Sequence, residues 1–129
     1  MKGKLILASL ILLAVLVTAI GVLGGKADPK EALDKYFTSA MAQDYATTYG
    51  LYCAAYQAKV PQEEYVKHRK EASLLRSYKI LSLKREKGLT HAEVELTFGP
   101  SEKLKRTQPV TVKVKEELIK ERGGWKIKI

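Results

Sequence analysis

With 129 residues, a net charge of +9 and one cysteine, the chain has room for one domain of about a hundred residues behind its leader, and it excludes an intrachain disulfide. Setting aside Lys2 and Lys4 leaves +7 on residues 26–129, spread along the whole domain. A basic balance of this kind suits an anionic membrane surface, a cell-wall polymer or nucleic acid, and charge alone does not choose among them.

Met1-Lys-Gly-Lys leads into an uncharged run from Leu5 to Leu23, interrupted only by Ser9, Thr18 and Gly21. A helix of that length, at about 1.5 Å per residue, approaches the ~30 Å thickness of membrane hydrocarbon and exceeds the usual core of a cleaved signal. An uncleaved single-pass anchor through residues 5–23 is therefore the favoured reading. Gly25-Lys26-Ala27 places small residues where a signal peptidase acts, so cleavage before Asp28 and secretion stay open as the alternative. No cysteine lies near the end of the run, which argues against an acylated lipoprotein. The amino terminus, Lys2 and Lys4 hold the leading end in the cytoplasm. Residues 1–27 are thus read as anchor or signal, and residues 28–129 as a domain outside the cytoplasm.

Asp28-Pro29-Lys30-Glu31 is a helix start, with Asp28 as cap, Pro29 in the first turn and Glu31 placed for a capping box. Ala32, Leu33, Tyr36, Phe37, Ala40 and Met41 then recur at helical spacing to about Gln43. Asp44 opens a second, short helix on which Tyr45, Tyr49, Tyr52, Cys53 and Tyr56 fall three and four apart, ending before Lys59. Pro61-Gln-Glu-Glu starts a third, with Tyr65, Ala72 and Leu75 facing inward and Lys67, Arg69 and Lys70 in water.

After Arg76 the period changes to two. Tyr78–Leu83 is expected as a first strand, Lys84–Gly88 as its turn, and Thr90–Phe98 as a second strand with Ala92, Val94, Leu96 and Phe98 on one face. A polar connection holding Lys103, Lys105 and Arg106 follows Gly99-Pro100. Val110, Val112 and Val114 alternate with Thr111, Lys113 and Lys115, and Trp125, Ile127 and Ile129 alternate with Lys126 and Lys128. Together they form a hairpin joined by Glu116–Arg122 and turned at Gly123-Gly124. The expectation is an α+β domain in which three helices cover one face of a curled four-stranded antiparallel sheet, a cone-shaped roll.

This order resembles the nuclear transport factor 2-like superfamily, in particular its small extracytoplasmic bacterial forms. The residues that carry the resemblance are Ala32 to Phe37, Asp44-Tyr45, Pro61-Gln-Glu-Glu-Tyr65 and Gly124-Trp125-Lys126-Ile127, which together span nearly all of 28–129. The resemblance implies the cone-shaped fold. It leaves activity open, because that superfamily hosts isomerases, dehydratases, cyclases, transport adaptors and plain binding domains.

In enzymes of that superfamily such as ketosteroid isomerase, a carboxylate base and a tyrosine hydroxyl project into the cone. The inward positions expected here, Ala92, Val94, Leu96, Phe98, Val110, Val112, Val114, Trp125 and Ile127, hold no ionisable group. Of the helix carboxylates, Asp44 sits where a cap belongs and Asp34 follows Leu33 toward the polar side. No catalytic residue is therefore assigned, and a small isomerase or dehydratase using a pocket tyrosine and a helix carboxylate stands as the rival reading. Tyr36, Tyr49, Tyr52, Tyr56, Tyr65, Tyr78, Phe98 and Trp125 are the candidate lining of a cavity for a small amphipathic ligand, against the plainer reading that they fill the core. His68 and His91 lack ligand partners at metal spacing, so neither metal nor cofactor is expected. Cys53 reads as a small buried apolar residue.

Lys113, Lys115, Lys126 and Lys128 share the outer face of the sheet, a candidate patch for an anionic surface or protein partner, with Glu93 and Glu95 opposite as neutralising partners. Nucleic acid is disfavoured, because neither a recognition helix nor an aromatic-studded strand face is present. The lysine-rich sheet face puts a monomer ahead of a weak homodimer. The function expected is a non-catalytic, membrane-anchored binding domain for a small molecule, envelope component or protein partner.

Overall fold

The computed structural model describes residues 28–129, so the expected anchor or signal at 1–27 lies outside the described residues. Among the described residues no helix is long and apolar enough to cross a membrane. Helices α1 (Pro29–Met41), α2 (Tyr45–Gly50), α3 (Ala54–Lys59) and α4 (Gln62–Glu71) precede strands β1 (Leu75–Glu86), β2 (Leu89–Phe98), β3 (Val110–Glu121) and β4 (Gly124–Lys128). The strands form one sheet in the order β1-β2-β3-β4, each antiparallel to its neighbour. The architecture is α+β, with helices packed on one face of a curled meander.

The start of α1 follows from its first residues. The Asp28 carboxylate accepts a hydrogen bond from the Lys30 amide at 3.1 Å, and Pro29 sits where no amide donor is needed. Leu33, Phe37 and Ala40, four and then three residues apart, make the buried stripe. Gln43 takes a left-handed φ of 59°, which turns the chain. Asp44 then caps α2, accepting from the Thr47 hydroxyl at 2.6 Å and from its amide at 3.4 Å.

The single helix expected over the tyrosine-rich stretch is two helices, because Leu51, Tyr52 and Cys53 pair with β4 instead. The Ile127 amide donates to the Leu51 carbonyl at 2.8 Å, and the Cys53 amide donates to the Ile127 carbonyl at 2.8 Å, forming a parallel bridge from Tyr52 to Ile127. The five-residue β4 would otherwise leave its outer edge unpaired, and closing that edge outweighs one more helical turn. The described domain accordingly has four helices rather than three. In α4, Tyr65 is buried as expected. Ala72 is exposed, and Leu75 is the buried first residue of β1. Arg69, expected in water, is half-buried with its guanidinium carbon 5.7 Å from the centre of the Tyr45 ring.

The sheet differs from expectation at both hairpins. The β1–β2 turn is only Lys87-Gly88, with Gly88 at φ 68°. A bulge at Leu81 resets the phase of β1, so Tyr78 and Ile80 before it, and Leu83 and Arg85 after it, stand opposite the inward Leu96, Val94, Ala92 and Thr90. β3 does not stop near Lys115. It continues to Glu121, and Leu118 faces Ile127 while Lys120 faces Trp125. The alternation from Val110 therefore runs on and puts Glu116 on the inner face, directly opposite Ala92.

The core lies between α1 and the middle of this face. Leu33, Val94 and Leu118 are fully buried, with Phe37, Ala92, Leu96, Trp125 and Ile127 around them. Cover thins toward the margins: Leu83 on β1 is 38% exposed, Val112 on β3 37% and Ile129 75%.

Candidate functional site

Tyr36, Tyr52, Tyr56 and Tyr65 pack ring against ring, from α1, the α2–α3 break, α3 and α4. The Tyr52 ring stacks on Tyr56 with centroids 4.4 Å apart and meets the edges of Tyr36 and Tyr65 at 5.4 and 5.2 Å. Their hydroxyls form a chain in which Tyr65 donates to Tyr52 across 3.4 Å and Tyr52 lies 2.6 Å from Tyr36. Tyr52 accepts from Tyr65 and shares one further hydrogen with Tyr36, with either hydroxyl able to donate it. Tyr49 belongs to the same packing, 5.5 Å from Tyr65, but its hydroxyl is committed to the Val60 and Gln57 carbonyls at 2.6 and 3.1 Å.

The other candidates stand apart. Tyr78 stacks on Phe37 at 5.0 Å and donates to the Asp34 carboxylate at 2.7 Å, which Lys30 meets from the other side at 2.8 Å. Asp34 is thus a clasp between α1 and β1; the Lys30 ammonium, seconded by the Tyr78 hydroxyl, holds its carboxyl below the ordinary range. Burial, with the Asp34 hydrogen bond and charge, pushes the Tyr78 phenol up to about 12. Phe98 is half-buried near one end of the sheet. Trp125 lies toward the other end beneath Arg85, whose guanidinium carbon is 5.4 Å from the ring centre. Among the described residues the Trp125 indole N–H and the Thr90 hydroxyl, both buried, meet no hydrogen-bond partner.

Two charged residues border the tyrosine chain, and both were assigned elsewhere by sequence. Glu116 is half-buried on the inner face, and its charge raises the proton affinity of the Tyr36 phenol, which burial already places far above the ordinary tyrosine value. Among the described residues no hydrogen bond or ion pair reaches the Glu116 carboxylate; burial alone acts on it and pushes its pKa up. Arg69, on α4, acts on Tyr36 in the opposite sense. Its Nε is buried and, among the described residues, unpartnered. The signal for Glu116 lay in the turn. Counting back from Arg122-Gly123 in a tight hairpin pairs Trp125 with Lys120 and Ile127 with Leu118, which forces Glu116 inward.

On the outer face the expected pairing holds in register: Glu95 lies opposite Lys113 and Glu93 opposite Lys115. Lys128 meets Glu117 at 3.5 Å, and His91 sits 3.7 Å from Glu117 and 3.8 Å from Glu86. Lys126 reaches sideways to the Gly50 carbonyl at 3.1 Å. A shallow groove of about 390 Å³ lies here, lined by Ser82, Lys84, His91, Glu93, Lys115 and Glu117, with Ala92 and Glu116 of the inward row also in its lining. Lysine and carboxylate columns alternate along it, so the four lysines do not form one cationic field.

No family model matches the chain, and no curated protein matches it. Solved structures do. The fold is similar to a SEC-C motif containing protein from Rhodopseudomonas palustris, at 12% identity and a TM-score of 0.58 over 72% of this chain and 69% of that one. It is also similar to a putative calcium/calmodulin-dependent protein kinase type II association domain from Thiobacillus denitrificans, at 14% identity and a TM-score of 0.56 over 77% and 88%. At such identities the likeness shows the shared fold.

Proposed function

We propose that this chain is a member of the nuclear transport factor 2-like superfamily that acts as a non-catalytic binding domain, held outside the cytoplasm by its apolar leader, and that a small amphipathic ligand is taken at the inner face of the sheet. The observation that supports the binding reading best is the row Leu83, Ala92, Glu116 across β1, β2 and β3. It is buried at Ala92 and open toward its ends, with Leu83 38% exposed and Glu116 half-buried. Apolar surface of this kind beside a polar group is what an amphipathic ligand needs. The order of helices and strands supports the superfamily reading, and the uncharged run Leu5–Leu23 supports the anchor.

Native mass spectrometry of full-length protein from its own host, released from detergent in the gas phase, tests the binding function. A stoichiometric small-molecule adduct is expected, lost when Leu83→Arg closes the exposed end of that row. A bare wild-type chain with no such adduct overturns it. The anchor has its own test: fractionation of cells expressing the tagged full-length chain should leave it in the membrane pellet after a salt wash, and recovery in the soluble cytoplasm ends that part of the reading.

A second reading, a small isomerase or dehydratase, is favoured by one specific observation. An inward carboxylate, Glu116, acts by its charge on the phenol of Tyr36, a tyrosine at the end of the hydroxyl chain from Tyr65 through Tyr52. General acid–base chemistry needs such a pair. Solvent-deuterium exchange into a simple enolisable ketone, catalysed by the wild type and lost in both Glu116→Gln and Tyr36→Phe, would favour the enzyme over the binding domain. Exchange at the buffer rate removes it.

A further inference from the structure

The end of the sheet away from Trp125 brings two guanidiniums to one glycine. Between the pairs Leu75–Phe98 and Ser77–Thr97 the β1–β2 register skips, so Arg76 is an extra residue with no cross-strand partner. A bulge of this kind re-aims a side chain. Arg76 lies against the backbone of Gly99, where an alanine Cβ would meet its Nε at 2.7 Å and its Cζ at 3.4 Å. Arg106 reaches the same residue from the β2–β3 connection, donating from Nη2 to the Gly99 carbonyl at 3.0 Å and to the Ser73 hydroxyl at 2.8 Å.

The connection holds Arg106 firmly. Ser101 and Arg106 exchange amide-to-carbonyl hydrogen bonds at 2.9 and 2.8 Å, and Lys105, just before Arg106, takes a left-handed φ of 53° to close that loop. Both guanidiniums keep donors to spare. Among the described residues Arg76, which is exposed, makes no hydrogen bond or ion pair, and Arg106 bonds only through Nη2. The Ser73 hydroxyl accepts from Arg106 and keeps its own hydrogen to donate. Neither Glu71, which pairs with Lys103 at 3.1 Å, nor Glu102 within the loop forms an ion pair with either arginine among the described residues. Two like charges drawn to one glycine repel each other, and an oxyanion between them would turn that repulsion into attraction.

We propose that Arg76, Arg106 and the Ser73 hydroxyl, gathered around Gly99, form a binding site for the dianionic phosphate of a phosphomonoester. Two guanidiniums supply two positive charges and planar forks of N–H donors, which match the charge and the three free oxygens of a terminal phosphate. A phosphodiester has one charge and two free oxygens, and fits less well. The site lies beyond the Phe98 end of β2, away from the row Leu83, Ala92, Glu116, and is independent of the ligand proposed for the inner face. Two sources carry the group: a soluble phosphomonoester and the headgroup of a phosphatidate in a membrane.

The full-length chain in a neutral detergent, at physiological salt, is titrated calorimetrically with glycerol 3-phosphate, the diester glycerophosphocholine and dihexanoyl phosphatidate. Glycerol 3-phosphate is expected to bind saturably and more tightly than the diester, and Arg76→Gln to weaken it roughly tenfold or more, the scale of a hydrogen bond to a charged group. Gly99→Ala should weaken it comparably with no change of charge. Its Cβ displaces the flexible end of Arg76, and the backbone there is not left-handed, so alanine is tolerated. Lys113→Gln, on the outer face, removes the same charge as Arg76→Gln and should change affinity by less than about twofold, as a screened distant charge does. Tighter binding of phosphatidate than of glycerol 3-phosphate, with the same dependence on Arg76 and Gly99, identifies the lipid headgroup; equal or weaker binding identifies the soluble source. A loss in Lys113→Gln as large as in Arg76→Gln, an unchanged affinity in Gly99→Ala, or equal binding of the diester reduces the site to a general basic surface and overturns the proposal. Absence of saturable binding by both monoesters overturns it as well.

Discussion

Glu116 and Glu117 are adjacent in sequence and identical in chemistry, yet the fold gives them opposite surroundings. Glu117 faces out, 3.5 Å from the Lys128 ammonium and 3.7 Å from His91, with 43% of its side chain in water. Glu116 faces in, opposite Ala92 and beside the tyrosine chain, where burial raises its pKa and no partner among the described residues offsets it. Strand alternation alone makes the difference. A carboxylate on the outer face is part of a solvated lattice of charges, whereas the same group on the inner face is a standing electrostatic cost, the kind that folds keep where they bind or react.

The comparison breaks first if β3 is not continuous through Glu121. Leu118, fully buried two residues beyond Glu116 and opposite Ile127, is in the core only in that register. Leu118→Ala should therefore cost about 2–5 kcal/mol in denaturant unfolding, as a core cavity does. A cost near zero would return residues 116–122 to a surface connection, and Glu116 with them.

Next in size is the tyrosine chain that Glu116 borders. Tyr52→Phe removes the hydroxyl that both Tyr36 and Tyr65 use. Two hydroxyls lose their partner at once, and a loss of about 1–3 kcal/mol is expected. Tyr56→Phe, whose hydroxyl makes no bond among the described residues, is the matched control and should change stability by less. Equal effects would mean that the rings carry the cluster and the hydroxyl chain carries nothing.

Glu116→Gln should produce a smaller change of opposite sign, with a pH signature. In the folded chain the Glu116 pKa is raised above its ordinary value of 4.5, so the folded state binds the proton more tightly than the unfolded one. Its contribution to stability is fully present below 4.5 and is lost as pH rises through the folded value. Asp34 runs the other way: its folded pKa is lowered, so its contribution is present above 3.8 and is lost as pH falls through the folded value. Just above 4.5, therefore, the Glu116 term moves and the Asp34 term does not. The denaturation midpoint of Glu116→Gln should exceed that of the wild type at about pH 7, and the two should converge as pH falls toward 4.5. A variant that is less stable at neutral pH would mean that Glu116 has a partner after all.

How much of this could be read beforehand depends on which physical signal each residue obeys. Asp28-Pro29 and Asp44 cap their helices as local chemistry dictates, and Ala92, Val94, Leu96, Trp125 and Ile127 are buried as alternation demands. The failures come where a residue breaks the polarity code of its position. Glu116 and Lys120 occupy inward slots, so the apolar alternation seemed to stop at Val114, although the Arg122-Gly123 turn counts the strand back through them. The bulge at Leu81 cannot be heard in a twelve-residue strand exposed on both faces over its second half. The break at Leu51–Cys53 is a tertiary effect, since only the unpaired edge of β4 gives those backbone groups a reason to leave the helix. Tyrosine spacing brought the right residues together, but it could not say which hydroxyls would be spent on one another.

The smallest expected effect is the sharpest test of the contrast. Glu117 has two ionic neighbours, Lys128 and His91, so by contact it looks better integrated than Glu116. Exposure argues otherwise. Water screens a pair on an open sheet face, and holding two long side chains together costs entropy that cancels most of the attraction. Glu117→Gln should thus move stability by no more than about 1 kcal/mol, and the Glu117–Lys128 coupling in a double-mutant cycle should be smaller still and fade with added salt. If the coupling instead survives high salt at several times that size, the outer face is not solvated. Something, a second copy or another protein, must then cover the lattice of Lys113, Lys115, Glu93 and Glu95, and the binding surface would be the face of the sheet that faces away from the tyrosines.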